Sequence, residues 1–73
     1  MVLDTIKKII AEQMSIDENL ITENSSFNDF KADSIDIVEI VMKIEDELGV
    51  AFDKAEDIKN VKELLDYINE QQS

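Results

Sequence analysis

The chain has no cysteine, no histidine, no proline and no tryptophan, and its single glycine is Gly49. Lack of cysteine excludes disulfides, thiolate metal sites and a thiol nucleophile. Lack of histidine removes the usual general base near neutral pH. With no proline and one glycine, turns must be built from Asp, Asn, Ser and Thr. Positive charge is scarce as well. Seven basic residues, all lysine, face eighteen acidic ones, giving a formal net charge of -11 on 73 residues. Such a chain repels nucleic-acid phosphates and anionic lipid and attracts basic protein surfaces. No apolar run is long enough for a membrane span, and the opening MVLDTIKKII is too polar for a secretory signal. The expectation is a soluble cytoplasmic domain that is not an enzyme by itself.

What is present suffices for one core. Hydrophobic residues make up 44% of the sequence, and a chain of this length has room for a single domain spanning residues 1–73. Apolar residues recur at spacings of three and four and nowhere alternate with period two, so helices and no sheet are expected. The first helix is read from about Leu3 to Met14, with Leu3, Ile6, Ile10 and Met14 on one side and Ile9 beside them. A long polar crossover, Ser15 to Asp33, follows, with Ile16, Leu20, Ile21, Phe27 and Phe30 as candidate pins and one helical turn near Asp17 to Ile21. The second helix starts at Asp33-Ser34 and ends at Gly49. Lys54 to Ile58 can support a short helix, and Asn60 caps a last one, with Glu63 in a capping-box position and Val61, Leu64, Leu65 and Ile68 as its apolar stripe. The predicted fold is all-α: a small antiparallel bundle of three main helices plus one short helix, with a long loop between the first and second.

The second helix carries two apolar stripes. At about 100° per residue, Ile37, Ile40, Val41, Ile44 and Leu48 gather on one side, while Ile35, Val38 and Met42 gather on another among Glu39, Glu45 and Asp46. Either neighbouring helices bury both stripes, or the second is an exposed docking strip in an acidic frame, with Met42 adaptable enough for several partners. Asp33, Asp36 and Glu39 complement the helix dipole at the start, but Glu45, Asp46 and Glu47 oppose it at the end. One lysine, Lys43, cannot neutralise these six carboxylates, although it can pair with Glu39 at i,i+4. Ser34 stands at the leading edge of the helix. With no histidine to activate it, it is not a hydrolase nucleophile, so it is either a helix-entrance residue or an acceptor of a modification.

Asp33-Ser34-Ile35-Asp36, followed by Val38-Glu39-Ile40-Val41-Met42, resembles an acyl carrier protein of the dissociated fatty-acid synthase type. The likeness covers essentially the whole chain: Ile6 to Ile16 resembles that family's first helix, Ser26-Phe27 and Phe30 to Ser34 its approach to the attachment site, and Leu65 to Asn69 its last helix. The resemblance implies that Ser34 accepts 4′-phosphopantetheine from coenzyme A, flanked by Asp33 and Ile35. It also implies that Asp36, Val38, Glu39, Met42, Glu45 and Asp46 meet partner enzymes. Those partners would be a phosphopantetheinyl transferase and fatty-acid synthase enzymes with basic docking surfaces; no nucleic acid, no membrane insertion, no metal and a monomeric state are expected. Three departures stand out. Lys31 occupies a position where the family commonly has glycine, Ile35 replaces the commoner leucine, and Ala51 to Ile58 is short and lacks a proline often found there. A specialised carrier for polyketide or other secondary-metabolite synthesis is the alternative within the same fold, and an unmodified acidic adaptor is an alternative outside it. An EF-hand reading of Asp29, Asp33 and Asp36 fails for want of the loop glycine and terminal glutamate.

Overall fold

A computed structural model describes residues 2–52 and 57–72, and of Gln72 only its place in the last helix. Among the described residues three α-helices run in chain order: α1 (Val2–Met14), α2 (Ser34–Leu48) and α3 (Val61–Gln72), with α1 packed against both of the others. Two 3₁₀ turns, Glu18–Leu20 and Phe27–Phe30, punctuate the crossover from α1 to α2. The described residues contain no strand, only an isolated antiparallel bridge between Ser26 and Asn60. The short helix expected over Lys54 to Ile58 falls largely outside the described residues.

Local chemistry accounts for each boundary. Helix α1 ends in a Schellman arrangement: Ser15 turns left-handed (φ 56°) and the Ile16 N–H reaches back to the Ala11 carbonyl at 3.1 Å. Helix α2 ends at Gly49 (φ 68°), whose N–H donates to the Glu45 carbonyl at 2.9 Å. A Cβ at Gly49 would meet nothing within 4 Å, so the glycine is there for its dihedral angle, not for space. Helix α3 begins with the expected cap, since Asn60 Oδ1 accepts the Glu63 N–H at 2.8 Å. Glu63 in turn reaches past Asn60 to the Lys59 N–H at 3.3 Å.

The core is aliphatic. Ile6 and Ile10 of α1, Ile40, Val41 and Ile44 of α2, and Val61, Leu64 and Ile68 of α3 are all buried. Each such side chain contributes roughly 1.5–3 kcal/mol by leaving water. Ile21 and Phe27 pin the crossover into this core, with Ile16 and Phe30 packed half-buried against it. Leu20 is not a pin: it is 68% exposed, because the 3₁₀ turn that buries Ile21 points its neighbour outward. Behind α2 the chain is clamped to α3. The Ala51 N–H donates to Gln71 Oε1 at 3.2 Å, Gln71 Nε2 donates back to the Ala51 carbonyl, and Phe52 stacks on Tyr67 with ring centroids 4.7 Å apart.

Among the described residues no charged or polar side chain is buried, and none of the three helices has a basic residue in its last turn. The carboxylates therefore repel one another across an exposed surface, a cost that mobile ions screen. Raising salt from low to moderate ionic strength is expected to raise the thermal midpoint. A flat response in a scanned melt would show that the charge excess carries no folding penalty.

Candidate functional site

The entrance to α2 is built by a chain of restraints that begins just before α3. The Lys59 carbonyl accepts the Phe27 N–H at 3.0 Å, and the Phe27 ring is buried. Phe27 opens the second 3₁₀ turn, whose start is held by Asp29 Oδ2 accepting the Ser26 N–H at 3.0 Å. Lys31 closes that turn in a left-handed conformation (φ 59°, ψ 32°), its N–H donating to the Asn28 carbonyl at 3.0 Å. This is the position where glycine was the family's commoner residue, and the dihedral angles give the physical reason: an L side chain there costs about 1–2 kcal/mol. Ala32 follows, buried, with its N–H on the Phe27 carbonyl at 3.1 Å.

Asp33 is the N-cap and Ser34 the first helical residue. Asp33 Oδ1 accepts the Asp36 N–H at 2.9 Å, and Asp36 Oδ2 accepts the Asp33 N–H at 3.3 Å, a reciprocal capping box. This division of labour matters for chemistry. Because Asp33 does the capping, the exposed Ser34 hydroxyl is not spent on it, and no hydrogen bond among the described residues engages it. The free N–H groups of the first helical turn and the positive end of the dipole lie beside that oxygen, a setting that favours an attached phosphate.

The second apolar stripe of α2 is open to solvent. Ile35 is 70% exposed, Met42 57% and Val38 38%, while the other stripe packs inward on the core. Of the two readings of this helix, burial on both sides is thereby excluded. Glu39 and Asp46 are exposed alongside the strip. The expected Glu39–Lys43 contact is bridged instead by α1: Lys43 Nζ donates to Gln13 Oε1 at 2.7 Å, and Gln13 Nε2 donates to Glu39. Glu45 is half-buried, and its Oε2 accepts the Phe52 N–H at 3.0 Å, so part of its carboxylate is committed to the clamp behind α2.

Two grooves open near the α2 entrance. One, of about 270 Å³, is lined by Phe27, Asn28, Ile37, Ile58 and Lys59. The other, of about 370 Å³, is lined by Ile16, Leu20, Ser25, Asp29, Phe30 and Lys31. Neither was legible from helical periodicity, since both are walled by the crossover. The second 3₁₀ turn did leave a sequence signal, the Ser26-x-x-Asp29 capping-box spacing.

Residues 4–68 match the family described as the phosphopantetheine attachment site. The chain is 43% identical over 74 residues to an acyl carrier protein of Lactobacillus acidophilus, covering 97% of this chain and 92% of that protein. This chain belongs to the acyl carrier protein family. A second acyl carrier protein, from Thermosynechococcus vestitus, is 42% identical over 71 residues, covering 93% of this chain and 88% of that carrier. The prosthetic group of this acyl carrier protein family member is covalently bound 4′-phosphopantetheine. The residues present fit that group, because the carrier offers an uncommitted, exposed hydroxyl at a helix N-terminus in a chain with no thiol of its own. No helix among the described residues is long and apolar enough to cross a membrane.

Proposed function

We propose that the chain is a single carrier domain for acyl intermediates of fatty-acid synthesis, loaded at Ser34. The observation that carries the assignment is the exposed Ser34 hydroxyl left free by the Asp33–Asp36 cap. In loading, the Ser34 oxygen forms a bond to the pantetheine-side phosphorus of coenzyme A as the pyrophosphate linkage breaks, releasing adenosine 3′,5′-bisphosphate. The hydroxyl proton passes to a base of the transferase, since this chain has no histidine or cysteine to take it. When bound, the arm supplies the thiol that holds acyl groups as thioesters. The protein's part is presentation: it is the substrate of other enzymes and not a catalyst. The Phe27–Ile37–Ile58 groove, one helical turn beyond Ser34, is the seat for an alkyl cargo, and its apolar side chains favour such a guest.

Ile35, Val38 and Met42 form the apolar centre of the docking strip, with Glu39 and Asp46 as its acidic rim and Asp33 and Asp36 framing the loaded serine. The partners have basic rims around an apolar groove, and the carrier meets them as a cytoplasmic monomer. The test of loading is intact mass after incubation with coenzyme A, magnesium and a phosphopantetheinyl transferase, where the whole population should gain a single arm. For docking, Glu39→Lys and Asp46→Lys are each expected to lower kcat/KM for loading roughly three- to ten-fold at low salt, with the loss fading at high salt. Equal rates for the variants and the parent would make these carboxylates bystanders.

A further inference from the structure

Lys31 is the only basic residue between Lys8 and Lys43. It is exposed, and it holds a left-handed backbone conformation that glycine would occupy with less strain. It also stands on the rim of the 370 Å³ groove whose apolar walls are Ile16, Leu20 and Phe30. That volume lies within the range of small-molecule sites. The exposed Leu20 in its wall has no partner within the core to explain it.

The electrostatics at this end of the molecule are otherwise uniform. Asp29, Asp33 and Asp36 surround the α2 entrance, and each carboxylate is occupied by a backbone N–H of the two capping arrangements. A phosphodiester on Ser34 adds another negative charge to this group. Three peptide units separate Lys31 from Ser34, a span of at most about 11 Å between their Cα atoms. The backbone between them is held by the Ala32 and Asp33 hydrogen bonds, so the lysine stem leaves from a fixed point.

Resting on the loading of Ser34 proposed above, we infer that Lys31 is a positioning residue for the arm. Its ammonium pairs with the phosphodiester and lays the unacylated pantetheine along the Ile16–Leu20–Phe30 groove, which shares no lining residue with the cargo seat at Ile37 and Ile58. The occupant matches the groove in both respects: an anion for Lys31 at the rim, and a chain of methyl and amide groups for a wall of mixed apolar and polar residues. The side chain that strains the loop thus gives the free arm a parking place.

The absence of cysteine supplies the test, because the thiol of the arm is the only one in the loaded protein. A nitroxide attached to that thiol should more than halve the amide signals of Ile16, Leu20 and Phe30 in a two-dimensional NMR spectrum, attenuating them more than those of Ile37 and Ile58. Lys31→Gln, which keeps a side chain in the left-handed position but removes the charge, should restore most of that intensity. Lys31→Arg should broaden the same signals as the parent. Independently of any variant, the Leu20 effect in the parent should weaken at about 1 M salt, where the Debye length is about 3 Å. Broadening centred on Ile37 and Ile58, equal broadening in the parent and Lys31→Gln, or a salt-independent Leu20 effect would each overturn the inference while leaving loading intact. Failure of the parent to gain the arm by mass would remove both the loading and the inference.

Discussion

Replacing Ser34 by alanine is expected to abolish addition of the phosphopantetheine arm while leaving the fold and its stability nearly unchanged. The two halves of this expectation come from the same geometry. Asp33 and Asp36 make the reciprocal cap, so removing the Ser34 hydroxyl costs no capping hydrogen bond. Alanine is the best helix former, and surface changes away from special features usually stay within about 0.5 kcal/mol. The chemical half is all-or-none, because the oxygen that would bond to phosphorus is gone. Intact mass should show full conversion of the parent and none of the variant, with superimposable melting curves. Other hydroxyls serve as internal controls. The Ser25 oxygen, for instance, accepts the Thr22 N–H at 3.0 Å within the crossover and does not stand at the start of a long helix. Mass gain by Ser34→Ala would move the attachment point elsewhere and refute the site assignment.

The second large effect concerns Phe27. Its ring is 1% exposed, its N–H is bonded to the Lys59 carbonyl and its own carbonyl receives the Ala32 N–H, so it ties the segment leading into α3 to the loop that presents Ser34. Phe27→Ala should cost about 3–5 kcal/mol, the usual range for emptying a buried aromatic site. A small domain has little more than that to lose. At 4–8 °C per kcal/mol, the midpoint should fall by roughly 12–40 °C. Leu20→Ala is the matching control. Although Leu20 belongs to the same crossover, its exposure limits the expected change to about 0.5 kcal/mol. If a melt followed by circular dichroism showed the two variants equally stable, the crossover would not be pinned as described.

Much of the helical framework can be read without coordinates. Helix α2 lies between Asp33 and Gly49 as the cap and αL chemistry demand, and Asn60 starts α3 for the same reason. Such signals are local: a side-chain oxygen meeting an N–H three residues on, or one residue able to take a positive φ. The family motif around Ser34 is local in the same sense. Periodicity likewise separates the two stripes of α2, but it does not say whether the second is covered. That depends on where α1 and α3 pack, and they leave Ile35, Val38 and Met42 in solvent.

What the amino-acid order determined alone is therefore the helices, their ends, the acidic excess and the serine that a family motif singles out. The tertiary structure decided the rest. It turned Leu20 outward where Ile21 turned in, drew Gln13 between Glu39 and Lys43, engaged Glu45 at Phe52, and set Lys31 on the rim of a groove. Each of these joins residues of different elements, or depends on which way a short 3₁₀ turn faces. Contacts of that kind arise only when distant segments compete for the same core, and no window of neighbouring residues contains that competition.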